Sequence, residues 1–172
     1  MVPIGLVLKM VIGSDDKFIK KIDDTNQLKK TKLVNYTLNR EQLLALKFLE
    51  KVNNKFDVSV LQGTTGSGKT LVYFERLKKI IKQNKQALVL LPEIFLTNDF
   101  KSRFENFFGF EPAIWHSKIT PKNKRIIWKG VIQNQIRIVV GARSSLLLPF
   151  KKLGIIIVDE EHDASYKQDE GV

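Results

Sequence analysis

"VSVLQGTTGSGKTLVYF", residues 58–74, runs from β-branched apolar residues through a cluster of small ones into a helical stripe. Gly63 to Thr70 fits the pattern G-x-x-x-x-G-K-[ST]. Each position has a mechanical reason. Gly63, Gly66 and Gly68 let the backbone curl, so that N–H groups along Thr64, Thr65 and Ser67 point into one concavity that suits phosphate oxygens. Lys69 is placed to reach the β- and γ-phosphates, and the Thr70 hydroxyl to ligate Mg²⁺. The helix that follows turns its positive end toward the same anion. A chance match would lack the surroundings found here. The loop joins the apolar run "DVSVLQ" (57–62), which reads as a strand, to a helix with Tyr73, Leu77, Ile80 and Ile81 at helical spacing.

Outward from the loop the pattern alternates. Upstream, Asn39 is an N-cap with Gln42 three residues on, and Leu38 and Leu43 are spaced for a hydrophobic staple. Leu44, Ala45, Phe48, Leu49 and Val52 form the stripe of the helix they begin. Downstream, "QALVLL" reads as a buried strand, and Thr97 caps a helix with Phe100, Phe104, Phe107 and Phe108 on one face. "EPAIWH" is a strand, Thr120-Pro121 starts a helix, and "IRIVVGA" and "LGIIIVD" are two more apolar strands. Continuous apolar strands alternating with helices predict an α/β fold, a mostly parallel sheet covered by helices on both faces.

A phosphate loop alone hydrolyses nothing. "IIIVDEEH" (155–162) supplies the second half of a site. Asp159 follows a β-branched strand, so its carboxylate lies at the C-terminal mouth of a parallel sheet, where ligands bind in such folds. It suits an outer-shell Mg²⁺ ligand, and Glu160 suits the general base for an attacking water. Gln42 has two readings: the reciprocal partner in a capping box, or a reader of the adenine edge. One amide does not readily do both, and the adenine role is favoured.

Composition sets the bounds. The 172 residues suffice for one domain and a short appendage, and without cysteine neither a disulfide nor a thiolate zinc site is available. The apolar start "MVPIGLVLKMVIG" is interrupted by Lys9 and lacks a preceding basic residue, which fits neither a membrane span nor a signal peptide. The expectation is a cytoplasmic protein with no membrane partner. A net charge of +11 fits a polyanionic partner, although lysine-rich composition fits a solvated surface equally well.

"LNREQ", "LQGTTGSGKT", "LVLLPEIFLT", "WHS" and "VVGARSSLLLPFKKLGIIIVDEEHDASYKQ" together resemble the first, RecA-like lobe of the PriA family of superfamily 2 replication-restart DNA helicases. The similarity runs in order from about Leu38 to the end. It implies ATP and Mg²⁺ as cofactors, 3′-to-5′ movement on forked or single-stranded DNA, and other primosome proteins as partners. It also implies that Pro92 to Thr97 face the DNA backbone, that Arg143 and Ser144 make DNA-phosphate or interlobe contacts, and that His162 links the hydrolysis motif to the DNA side. Ala142 stands where the family has threonine, which removes one hydroxyl donor from that stretch. His116 is read as shaping a loop, and Trp115 and Trp128 as core.

By the same resemblance, residues 1–37 are an extension or linker compatible with the tail of a winged-helix module. Residues 38–172 are the ATP-binding lobe, truncated after the Asp-Glu-Glu-His motif. The second lobe and the zinc module are then missing from this chain. Two further readings stay open: an inert remnant that binds nucleotide or DNA without turnover, and a lobe of another superfamily 2 translocase.

Overall fold

The computed structural model describes residues 36–51 and 56–166. The expected features of residues 1–35, and Val52 of the first helical stripe, lie outside these residues.

Four α-helices, four strands and three short 3₁₀ helices make up the regular structure among the described residues. Helix α1 (Arg40–Glu50) begins at Asn39, whose side chain accepts from the Gln42 amide while Gln42 reciprocates, so the expected capping box is present. Its buried residue is Leu46, whereas Leu44 and Phe48 of the expected stripe are exposed. Helix α2 (Lys69–Lys82) follows the glycine loop and leads into strand β1 (Gln86–Leu90). Helix α3 (Asn98–Phe108) is capped by Thr97, which accepts from Phe100 N, and it ends at a left-handed Gly109. Strand β2 (Ala113–Trp115), helix α4 (Pro121–Ile132, capped by Thr120), strand β3 (Ile138–Gly141) and strand β4 (Leu153–Val158) complete the order.

All strand pairs are parallel and the sheet order is β2-β3-β1-β4. Side chains alternate across a strand, and the two core clusters divide accordingly. Ala87 and Val89 of β1 and Ile138 and Val140 of β3 pack with α2 and the phenylalanines of α3. Leu88, Leu90 and Val139 face the other way, onto Ile127 and Val131 of α4. The first face is rich in aromatic rings. Phe74 lies 5.2–6.1 Å, centroid to centroid, from Phe100, Phe104, Phe107 and Phe108, in mostly edge-on or tilted contacts that aromatic rings prefer.

"DVSVLQ" forms no strand, against the sequence expectation: Val58 and Val60 are 73% and 86% exposed. Strand β4 is an edge of the sheet and is half-covered. Ile155 and Ile157 pack on the aromatic face, but Ile156 and Val158, on the other side, are exposed because no helix of the described residues reaches them. Helices therefore cover both faces over β1 and β3 only. No helix among the described residues is long and apolar enough to cross a membrane.

Candidate functional site

The glycine loop is built as an open cradle. Gly66 (φ 81°) and Gly68 (φ 82°) take left-handed backbone conformations that other residues rarely adopt. A Cβ on Gly68 would also strike the side-chain nitrogen of Gln42. Ser67 N donates to Thr64 O at 3.1 Å, which closes the turn. Gly68 gives α2 no side-chain cap, and the first turn carries no acidic residue. The free amides and the positive end of the helix are thus left for an external anion. Lys69 Nζ folds over the loop, donating to Gly63 O at 2.6 Å and Thr64 O at 3.1 Å. These two carbonyls hold the ammonium where a phosphate would otherwise take it.

Asp159 sits just past β4, as expected, and every polar atom it has is engaged. Its N–H donates to Leu90 O at 3.0 Å. Its carbonyl accepts from the Tyr166 hydroxyl at 2.9 Å. Oδ1 accepts from Glu160 N at 3.1 Å, and Oδ2 from the Tyr73 hydroxyl at 2.9 Å. Burial, then the neighbouring Asp159 charge, pushes the Tyr73 phenol far above its usual range; the same two causes act on Tyr166. Both phenols therefore remain donors. Glu160 has φ 53°, an uncommon conformation for a non-glycine residue, and its Oε2 lies 3.6 Å from His162 Nε2 at the surface.

A metal at this place would have the Thr70 hydroxyl and one carboxylate as protein ligands. No group of three or more His, Cys, Asp or Glu side chains with metal-holding geometry exists among the described residues. Such a sparse oxygen set fits Mg²⁺, which keeps waters and takes substrate phosphates as its remaining ligands. It does not fit zinc.

Beyond the C-terminal ends of β1 and β3 lies a separate cleft of about 400 Å³, lined in part by Pro92, Glu93, Arg143, Ser144 and Tyr166. The glycine loop is not among its walls. Ser144 Oγ accepts from Trp115 Nε1 at 3.2 Å, and Arg143 reaches Tyr166 O at 3.4 Å. Glu93 accepts from Ser117 N and Oγ at 3.1 and 3.2 Å; these two bonds, the backbone one first, hold its carboxyl below the usual range. His116 Nδ1 accepts from Lys118 N at 3.2 Å, which fits its expected loop-shaping role. Gly141 lies against the Trp115 backbone, with no room for a Cβ.

The residues singled out in the sequence thus fall into two groups. Gln42, Gly63 to Thr70 and Asp159 gather around the start of α2; Pro92, Arg143 and Ser144 gather at the cleft. Thr97 is spent on its cap and is absent from the cleft lining. Sequence reasoning missed Tyr73 and Tyr166. Tyr73 was legible, since it lies three residues after Thr70 on the same helix face, but its spacing was read only as core.

The chain matches the family model described as Type III restriction enzyme, res subunit, over residues 35–171. It is 42% identical to the replication restart protein PriA of Rickettsia conorii over 172 residues, all of this chain and 26% of that protein. It is 43% identical to that of Bacillus subtilis over 118 residues, 69% of this chain and 15% of that one. With Haemophilus influenzae the figures are 45% over 132 residues, 77% and 18%. The chain therefore spans about a quarter, or less, of these relatives, and the rickettsial match extends through residues 1–37 as well. Among solved structures, the DUF1998 helicase MrfA superposes with a TM-score of 0.51 at 21% identity, over 87% of this chain and 24% of that one. That likeness is one of fold.

Proposed function

The chain belongs to the family described as Type III restriction enzyme, res subunit, and from that premise we propose that it is the Mg²⁺-ATP-binding lobe of a PriA-like 3′-to-5′ DNA helicase acting in replication restart. The observation that carries this reading is the convergence of an uncapped, acid-free helix start with the Asp159 carboxylate, joined through Tyr73. In this reading residues 38–172 are the RecA-like lobe and residues 1–37 an extension or linker. The similarity to replication restart proteins supports DNA, forked or single-stranded, and other primosome proteins as partners in the cytoplasm.

Bound Mg²⁺-ATP supplies the transferable phosphoryl group and a cation that offsets its charge. The chain's own residues bind and orient it. The amides of the 63–70 loop receive phosphate oxygens, and Lys69 leaves Gly63 O and Thr64 O to meet the β- and γ-phosphates. Thr70 and Asp159 would hold the metal, and Glu160 would take the proton of the attacking water. His162, beside Glu160, faces the DNA side. Pro92, Arg143 and Ser144 contact the DNA backbone, with Thr97 supporting that segment as a cap. An arginine that stabilises the transferring phosphoryl group comes, in such NTPases, from a second lobe and is worth roughly 10³–10⁵ in rate. Turnover without such an arginine is slow.

The test is binding of a fluorescent ATP analogue with Mg²⁺, followed by steady-state hydrolysis with and without forked DNA. The expected result is saturable binding, lost in Lys69→Ala, with weak DNA-dependent hydrolysis. Absence of binding would end the proposal. Binding with no hydrolysis under any condition would favour the inert-remnant reading instead.

A further inference from the structure

One buried hydroxyl is accounted for neither by the glycine loop nor by the acidic stretch. Tyr73 rises from α2 one turn after Thr70, on the same face, and is 3% exposed. Its ring packs edge-on against Phe74 at 5.2 Å, within a cluster otherwise lined by hydrocarbon. A phenylalanine would satisfy that cluster equally well. The hydroxyl must therefore be explained by what it touches: Asp159 Oδ2 at 2.9 Å.

A phenol has one proton to give, and here it goes to the carboxylate. On the other side, Oδ1 of Asp159 is fixed by Glu160 N at 3.1 Å. The carboxylate plane is held from both ends.

We infer that Tyr73 is a positioning residue for the metal half of the site, holding the Asp159 carboxylate in a preset orientation. The inference rests on the reading of Thr70 and Asp159 as Mg²⁺ ligands. It assigns to Tyr73 the cation requirement, not the grip on phosphate, which belongs to the loop amides and Lys69.

The experiment is a fluorescence titration of the 172-residue chain with a mant-labelled ADP, first in EDTA and then with increasing Mg²⁺. In Tyr73→Phe, nucleotide affinity in EDTA stays at the wild-type level, while the Mg²⁺ concentration for half-maximal effect rises about tenfold, as for a lost hydrogen bond to a charged group. In an Asp159→Asn background the same substitution has no further effect. Phe74→Leu, which loosens the same cluster without touching the carboxylate, lowers thermal stability and leaves the Mg²⁺ midpoint in place. An unchanged midpoint in Tyr73→Phe, or an equal shift in Phe74→Leu, overturns the inference while nucleotide binding stands. Failure of the wild type to bind nucleotide in EDTA and in Mg²⁺ alike removes the phosphate reading and this inference with it. If Tyr73→Phe does not fold, 3-fluorotyrosine labelling reads the same contact, since the chain has three tyrosines and Tyr36→Phe and Tyr166→Phe identify the third resonance. That resonance shifts when Mg²⁺ is added to the nucleotide complex; a static one overturns the inference.

Discussion

The side-chain amide of Gln42 donates to Ser67 O at 3.0 Å while its oxygen accepts from Asn39 N, also at 3.0 Å. One side chain closes the capping box of α1 and pins that helix to the glycine loop. The two roles weighed for Gln42 in the sequence are therefore not exclusive. The amide nitrogen has a second hydrogen, and the oxygen a second lone pair, for the adenine edge. Gln42→Glu keeps the capping oxygen but turns the donor into an acceptor beside Ser67 O. The expected outcome is nucleotide affinity lowered about tenfold, as for loss of one to two hydrogen bonds, together with loss of ATP-over-GTP preference in competition binding. Retained preference would assign Gln42 to the helix cap alone.

Lys69 is held by two backbone carbonyls of the loop it is expected to serve. Nucleotide binding must exchange those bonds for charge-assisted ones to phosphate, which are stronger. Lys69→Ala is expected to weaken ATP-analogue binding by about a hundredfold, near two charge-assisted bonds, with the far-ultraviolet circular dichroism spectrum unchanged. Lys69→Arg should rescue little. The guanidinium is a broad planar fork, whereas the space between Gly63 O and Thr64 O holds a point charge.

Residues with strong local signals were legible and those whose state depends on partners were not. Asn39, Thr97 and Thr120 cap helices as read, because a cap is decided within four residues. The four phenylalanines of α3 are all buried as read. "DVSVLQ" has the composition of a strand, but pairing is a property of the sheet, and the segment pairs with neither edge strand, β2 or β4. The exposure of Leu44 and Phe48 has the same origin, since periodicity marks an apolar face without saying what covers it. At the site, the glycine loop and Asp159 are local patterns. Tyr73 and Tyr166 act through contacts 86 and 7 residues away, and the longer one has no signature in spacing.

Gln86 shows how a buried polar residue can be structural. It is fully buried at the start of β1. Its Nε2 donates to Val131 O and Ile136 O, both at 2.9 Å, and its Oε1 accepts from Lys151 N and Lys152 N at 2.9 and 3.0 Å. One amide thus ties the end of α4 and the entry to β4 onto the central strand. Gln86→Leu would leave four backbone groups without these partners. The expected loss is about 3 kcal/mol in urea unfolding, given a cost of roughly 1–3 kcal/mol for each group left unmet and partial access to water for the rest. A loss below about 1 kcal/mol would mean that these turns relax to solvent freely.

The cleft makes a separate prediction about salt. Arg143 lies beside Ser144 at its rim, and Trp115 fixes the Ser144 hydroxyl. If Arg143 contacts a DNA phosphate, Arg143→Ala lowers single-strand affinity and flattens the log–log dependence of affinity on salt by about 0.7. Trp115→Phe, which frees Ser144 without removing charge, lowers affinity with no change in that slope. Equal slopes for wild type and Arg143→Ala would place the contact elsewhere.

Alkaline unfolding tests the Tyr73–Asp159 bond without any ligand. The folded-state phenol titrates above its ordinary value of 10.0, chiefly through burial and then through Asp159. Above pH 10 the unfolded chain releases this proton while the folded chain retains it. The contribution is therefore complete below pH 10 and is lost as pH rises, by up to about 1.4 kcal/mol per pH unit. Lysines titrate over the same range in both proteins, so the informative quantity is the difference between wild type and Tyr73→Phe. That difference is constant from pH 7 to 9.5 and then shrinks toward pH 11.5, because the variant has no phenol at this position to protect. A difference that stays level across the whole range would mean that the hydroxyl is already reached by water, and that Asp159 is held in place by Glu160 N and Leu90 O alone.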